Sequence, residues 1–345
     1  MVDYRVKALY LNRDYEPYAA KRDNEIRDLI ESAGGHYYDY KDHVIREKSE
    51  VLSNSGTPYT VFTPYKKKWL ALLRQEPIPH FDSANLLQKL IRIDPEELFS
   101  LESIGFKPSQ VNIPSMSVDQ RVIASYEKTR NFPSLRMGTS RLGIHFRFGT
   151  ISIRQKALKA LQLNETYLSE LIWRDFYSQI LYHFPHVVDR AFRAKYDTIE
   201  WRDNNTDYVA WTLGMTGYPI VDAGMRELNA TGYMHNRVRM IAASFLTKHL
   251  LLNWRLGEGY FAQKLLDFDL ASNNGGWQWA SGSGTDAAPY FRIFNPTTQL
   301  QKFDKELVYV KQWVPEYGTE VYLHPIVDHK FARQRCLETY KRALS

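Results

Sequence analysis

Beyond residue 119 the apolar positions recur at three- and four-residue spacing, which predicts helices. "QRVIASYEKT" (120–129), "RQKALKALQL" (154–163), "ETYLSELIWRDFYSQILYHF" (165–184), "PIVDAGMRELNATG" (219–232) and "HNRVRMIAASFLTKHLLLNW" (235–254) all carry it. Strand-like alternation is nearly absent there until "ELVYV" (306–310). The first 70 residues read differently. "VKALYL" (6–11) and "HYYDY" (36–40) are predicted strands, with a helix over Ala19–Ser32 between them, ended by Gly34 and Gly35. "YTVFTPY" (59–65) also reads as a strand and runs into a helical "KKKWLALLRQ" (66–75). The prolines scattered over 75–118 predict a connector lying on the surface. The pattern therefore predicts an α/β part over 1–74, a connector over 75–118 and a helical part over 119–345. Two or three strands are too few for a stable doubly wound sheet on their own.

Composition narrows this picture. With 44% hydrophobic residues, the 345-residue chain can build a sizeable core. Aromatic residues reach 14%, which suits a protein that stacks flat rings. The formal charge is +6, a mild excess that fits nucleic acid only if it gathers on one face. A single cysteine, Cys336, excludes an intrachain disulfide and fits a reducing compartment. The N-terminus is charged at short intervals, unlike a signal peptide, and no apolar run reaches the length of a membrane span. A cytoplasmic monomer that does not engage membranes is expected.

Four segments carry candidate chemistry. Thr139 and Ser140 suit the turn before a helix, where hydroxyls and free N–H groups bind anions; a plain N-cap is the alternative. Glu170, Trp173 and Arg174 stand at i, i+3 and i+4, so an acid, a flat ring and a cation share one helical face. An exposed Glu–Arg pair beside a half-buried Trp explains them too. Asn236 and Met240 share a face flanked by Arg237 and Arg239, with an N-cap as the plain reading of Asn236. In "DFDLASNNGGWQW" (267–279), Asp267, Asp269 and Asn273 precede a predicted Gly-Gly turn, followed by Trp277 and Trp279. Taken together the segments fit a large ring-bearing cofactor with phosphates, packed against a second flat molecule.

These stretches resemble the photolyase/cryptochrome flavoproteins, and within them the microbial class I cyclobutane pyrimidine dimer photolyases. The matching runs are "GTSRL", "ELIWRDFY", "TGYPIVDAGMRELNATGYMHNRVRMIAASFL", "LLDFDLASNNGGWQWASGSGTDAAPYFRIFNP" and, upstream, "ALYLNRDYEPYAAKRD" and "VFTPYKKKW". The resemblance implies a partial Rossmann-like α/β antenna-type domain and an all-α FAD-binding domain. It implies FAD held by Tyr126, Thr139, Ser140, Arg141, Leu142 and Gly143, with Glu170, Arg174, Asn236, Arg239, Asp267, Asp269 and Asn273. Arg239 is expected to pair with Asp267, and Asn273 to face flavin N5. Trp277, Trp254 and Trp201 are implied as an electron-hopping chain. Trp173 and Trp279 are implied as platforms for a flipped dimer, with Met240 packed on it. Glu170 would bond the pyrimidine edge. Arg174, Arg237 and Arg292 are candidates for phosphate contacts or for ordering the pocket. The implied activity is light-driven repair of cyclobutane pyrimidine dimers in DNA.

The match also departs from the family pattern. Gly143 stands where the family has Ser, which puts a backbone N–H in place of a side-chain contact. The usual opening "WFR.DLR" strand and two further βα units are missing, on the order of 80 residues. No second, antenna chromophore is therefore expected to bind tightly. Rival readings are a (6-4) photolyase, a cryptochrome-like photoreceptor and an inactive truncated remnant. His235-Asn236-Arg237 with Met240 favours the dimer enzyme over the first. The retained Glu170, Trp173, Asn236, Met240 and Trp279 argue against the second.

Overall fold

The computed structural model of the protein describes residues 6–79, 81, 83–91 and 99–345. Parts of the predicted connector, at 80, 82 and 92–98, lie outside the described residues. The chain opens with β1 (Ala8–Asn12), α1 (Pro17–Ser32) and β2 (His36–Tyr40). The two strands pair in parallel from Ala8 opposite His36 to Asn12 opposite Tyr40. Pro17 begins α1, where its missing N–H costs nothing. Gly34 ends the turn at φ +75°, and Gly35 N donates to Ile30 O at 3.0 Å. Tyr10, Tyr38 and Tyr40 lie exposed on this small sheet, their rings stacked at 4.9 and 6.4 Å from Tyr10.

The strand predicted at 59–65 does not form. Val61 is the extended N-cap of α2 (Phe62–Gln75). Pro64 sits in the first turn, where a helix tolerates it. Burial of Phe62, Tyr65 and Trp69 outweighs the local β preference.

The rest is helical: α3 (Gln120–Ala124), α4 (Tyr126–Thr129), α5 (Gly143–Arg147), α6 (Ile153–Leu163), α7 (Glu165–His183), α8 (Asn205–Leu213), α9 (Pro219–Thr231), α10 (Asn236–Ser244), α11 (Trp254–Lys264), α12 (Leu270–Ser281), α13 (Pro296–Phe303), α14 (Val308–Trp313) and α15 (His329–Leu344). The long helix predicted over 235–254 is α10, a π-turn at Phe245–His249 and then the start of α11. The strand predicted at 306–310 is instead helix α14. Asp304 accepts from the N–H groups of Tyr309 at 3.0 Å and Val310 at 2.9 Å, which caps the helix. Among the described residues no helix is long and apolar enough to cross a membrane.

Two cores flank the site. One gathers α8–α12 around Trp211, Val238 and Trp277. The other packs α2 and α6 on α7 through Tyr65, Trp69, Leu168, Ile172 and Phe176. Asp175, fully buried in α7, fastens the α/β part to this second core. Its carboxyl accepts from Ile45 N at 3.1 Å, Arg46 N at 2.8 Å and the Trp69 indole at 3.0 Å. The orientation of α7 is thereby fixed from behind, while α7 also packs on α12 and faces α10 across a cavity.

Candidate active site

That cavity has a volume of about 390 Å³. From α7 come Glu170, Trp173, Arg174 and Tyr177, at i, i+3, i+4 and i+7. The face read from the sequence is thus real, with Tyr177 as a member it left unnamed. Asn164 caps α7 by accepting from Tyr167 N at 2.9 Å. Phe62 stacks on Trp173 at 3.7 Å and 8°, so one indole face is packed by α2 while the residue also walls the cavity.

Glu170 does not pair with Arg174. Its partner is Arg130, just past α4, with Nη1 at 2.5 Å from Oε1. Arg174 instead bonds the backbone oxygen and ring of His43 and stands 3.9 Å from Asp269. His43 is itself 3.5 Å from Asp269. Burial pushes the Asp269 acid up, but His43, Arg174 and the Ser272 N–H outweigh it and hold the carboxyl well below its usual range.

The second wall is α10, which presents Asn236, Arg239, Met240 and Ala243. The cap is His235 rather than Asn236: its Nδ1 accepts from Arg237 N at 3.1 Å. Arg239 meets both Asp267 oxygens at 3.0 and 2.9 Å, as expected, and its Nε donates to Met234 O at 2.7 Å. Arg237 turns away to Asn131 at 2.6 Å and over the Phe303 ring at 4.6 Å.

Burial and the guanidinium groups of Arg239, Arg237, Arg141 and Arg130 pull the His235 pKa down to about 3. The fold therefore holds a neutral imidazole, while the unfolded chain titrates near ~6.5. The contribution is present above that value and is lost as pH falls toward 3. At pH ~5 the loss is about 2 kcal/mol. His235→Asn keeps a cap that does not titrate, so its unfolding free energy should fall less than wild type between pH ~6.5 and ~5. Urea titrations giving equal slopes would remove His235 from the acid response.

The third wall is the segment Asp267–Trp279. Asp269 caps α12, accepting from Ser272 N at 2.9 Å. The predicted Gly-Gly turn is absent, and α12 runs straight through Gly275 and Gly276. A Cβ on Gly275 would stand 2.2 Å from the Tyr177 ring. The glycine is there for close helix packing, not for a turn. Asn273 donates through its amide nitrogen to Glu258 Oε1 at 2.9 Å and Glu258 O at 3.2 Å, which leaves its carbonyl oxygen for a ligand.

The remaining expected residues fall outside the cavity wall. Ser140 bonds the Tyr167 hydroxyl at 3.0 Å and Thr139 the Tyr233 hydroxyl at 3.3 Å. Neither caps α5, whose N-cap is Leu142 with no side-chain bond. Arg141, at φ +52°, lies over the Tyr233 ring at 4.4 Å. Tyr126 packs edge-on against Tyr167 at 5.1 Å. A Cβ on Gly143 would stand 2.7 Å from Asp267 Oδ2, so the glycine lets that carboxylate sit against the backbone. Arg292 is exposed, and its backbone oxygen accepts from Lys248 at 2.9 Å. Trp254 and Trp201 wall a separate surface cleft of about 370 Å³.

A model of the FAD binding domain of DNA photolyase matches residues 167–320, and a DNA photolyase model matches residues 1–82. The deoxyribodipyrimidine photo-lyase of Halobacterium salinarum is 38% identical over 96% of this chain and 78% of its own length. That of Escherichia coli is 39% identical over 98% of this chain and 79% of its own. The chain belongs to the photolyase/cryptochrome family. Among solved structures, a class III photolyase from Agrobacterium tumefaciens superposes with a TM-score of 0.84 at 32% identity, over 98% of this chain and 79% of its own. An archaeal photolyase from Sulfolobus tokodaii, which holds two FAD molecules, does so at 0.79 and 32%, with the same coverage.

The cavity fits the FAD of this family on its own chemistry. Arg130, Arg174 and Arg239 face Glu170, Asp267 and Asp269 between aromatic walls. The buried Trp277 Nε1 has no hydrogen-bond partner. Gly276 lines the cavity, and a Cβ there would meet nothing within 4 Å. Of these residues only Arg130 lies outside the matched FAD-binding domain.

Proposed function

We propose that the protein is a light-driven enzyme that splits cyclobutane pyrimidine dimers in DNA. The observation that carries this reading is the convergence on one cavity of a carboxylate–guanidinium pair (Glu170–Arg130) with Trp173, Trp279, Asn236 and Met240. The deoxyribodipyrimidine photo-lyase relatives support the reaction class.

FAD would supply the blue-light-driven electron when bound. Arg239 and Asp267 would hold it as a pair, with Asp269 alongside, and the Asn273 carbonyl oxygen would accept at the ring edge that the Glu258 bonds leave open. Tyr126 and the 139–143 segment would grip its phosphate end. Trp173 and Trp279 would receive the extruded dimer as flat platforms. A damaged, poorly stacked step leaves the duplex more cheaply than an intact pair. Met240 would pack against its ring and Asn236 would bond its edge. Glu170 would accept a hydrogen bond from the N–H of the pyrimidine edge, and its partner Arg130 would steady negative charge as it develops. Residues 119–345 would form the catalytic unit, with 1–74 as an α/β companion across the 75–118 connector. One FAD is the only chromophore this reaction requires.

The test is to irradiate the purified protein with thymine-dimer DNA under reducing conditions and follow dimer loss. Loss in blue light and none in the dark is expected, with DNA affinity falling as salt rises. Flavin-loaded protein that leaves dimers intact in the light would favour the photoreceptor reading.

A further inference from the structure

We propose that Trp211 and Tyr208 form a second hole-conducting branch that leads from Trp277 to the protein surface. The inference rests on the reading of Trp277 as an electron donor beside FAD, and goes beyond the Trp277, Trp254 and Trp201 chain expected from the family.

The geometry starts at the cavity wall. Among the described residues, the rings in contact with Trp277 are Phe261 at 5.0 Å and Trp211 at 6.0 Å. Trp254 is not among them. Phenylalanine is much harder to oxidise than tryptophan, so of the two contacts Trp211 is the one that can take up a hole. Trp211 is fully buried, and its indole N–H donates to Ala242 O at 3.2 Å. A carbonyl stabilises positive charge on the indole but is too weak a base to remove its proton. The hole therefore stays mobile on Trp211.

From Trp211 the next rings lie outward. Tyr208 stacks on it at 6.3 Å and 24°, and Tyr260 meets it edge-on at 5.8 Å and 65°. The near-parallel stack gives Tyr208 the better overlap. Tyr208 is half-buried, and its hydroxyl makes only a long 3.4 Å bond to Leu256 O. The Tyr260 hydroxyl is tied at 2.5 Å to the Asn229 amide oxygen, which cannot accept a proton. Both hydroxyls lie at the exposed surface, and the weaker hold on Tyr208 leaves its proton the freer to pass to water. Tyr208 belongs to α8 and Tyr260 to α11, and neither lines the cavity.

The steps balance. With bound, light-excited oxidised FAD as the acceptor, the electron that Trp277 gives up would be replaced from Trp211, and that one from Tyr208. The Tyr208 phenol proton passes to bulk water, leaving a neutral tyrosyl radical. A soluble thiolate returns the electron and water the proton, and the thiyl radicals pair as a disulfide.

The test uses the FAD-loaded Trp254→Phe protein, flashed with blue light without thiol and examined by electron paramagnetic resonance and transient absorption. The expected result is a surviving light-induced radical with a tyrosyl spectrum, formed more slowly in heavy water. Adding Tyr208→Phe should remove the tyrosyl signal and leave a shorter-lived tryptophan radical. Adding Trp211→Phe instead should abolish the long-lived radical. Tyr208→Phe keeps the half-buried ring, so it tests the branch even if Trp211→Phe fails to fold. Complete loss of the radical in Trp254→Phe alone overturns the branch, as does a signal indifferent to both second substitutions. A light-induced radical that survives Trp277→Phe in the otherwise unaltered holoprotein would instead overturn the role of Trp277 itself.

Discussion

Arg239→Leu is expected to lower the unfolding free energy by about 3 kcal/mol and to yield protein that loses FAD on gel filtration. The guanidinium spans both Asp267 oxygens and anchors itself to Met234 O. Burial disfavours its charge, yet Asp267 more than compensates and raises its pKa. Removing it strands a carboxylate in an aromatic-walled cavity, which costs about 3–5 kcal/mol where burial is complete. The lower end applies because the Asp267 side chain keeps 18% exposure to the cavity. Asp267 also has little room to swing aside, since it lies against the Gly143 backbone. The double variant Arg239→Leu/Asp267→Leu removes the stranded charge and should recover most of the stability without recovering FAD. Thermal melts and the protein-to-flavin ratio separate these effects. A double variant as unstable as the single one would mean that packing, not charge, is at stake.

How far this site could be read beforehand depends on whether its parts are near in sequence. The Glu170, Trp173 and Arg174 face was legible because helical spacing alone puts those side chains together. The actual partner of Glu170 was not, because Arg130 arrives from just past α4, 40 positions upstream. The strands expected at 59–65 and 306–310 followed β-branched and aromatic composition. Both became helices because burying Phe62 and Trp69, or Tyr309 and Val310, against the helical core settled the conformation. Gly275-Gly276 looked like a turn because glycine is ambiguous between backbone freedom and lack of bulk, and only the Tyr177 ring shows that bulk decided. Trp211 carried no signal at all. In "DYVAWTLG" a lone tryptophan looks like core until its neighbours are known.

Glu170→Ala is expected to slow dimer splitting by about 10²-fold, the usual cost of deleting one stabilising group from an enclosed site. The loss has two parts, because Glu170 both faces the cavity and holds Arg130 at 2.5 Å. Freed from that pair, Arg130 remains a cation able to meet a phosphate, so affinity for dimer-containing DNA should change far less than splitting. Arg130→Ala should do the reverse, weakening binding and lowering the salt slope by about 1 while leaving more of the splitting rate intact. Splitting rates by single-flash absorption, set beside salt-dependent binding, resolve the two. Equal losses in rate and affinity from Glu170→Ala would show that the carboxylate acts by placing Arg130, not by touching the dimer. Glu170→Gln then decides between them: it keeps a hydrogen-bonding group at the pyrimidine edge but gives up the charge that holds Arg130. Recovery of rate in that variant, with Arg130 unpaired, would place the effect at the dimer itself.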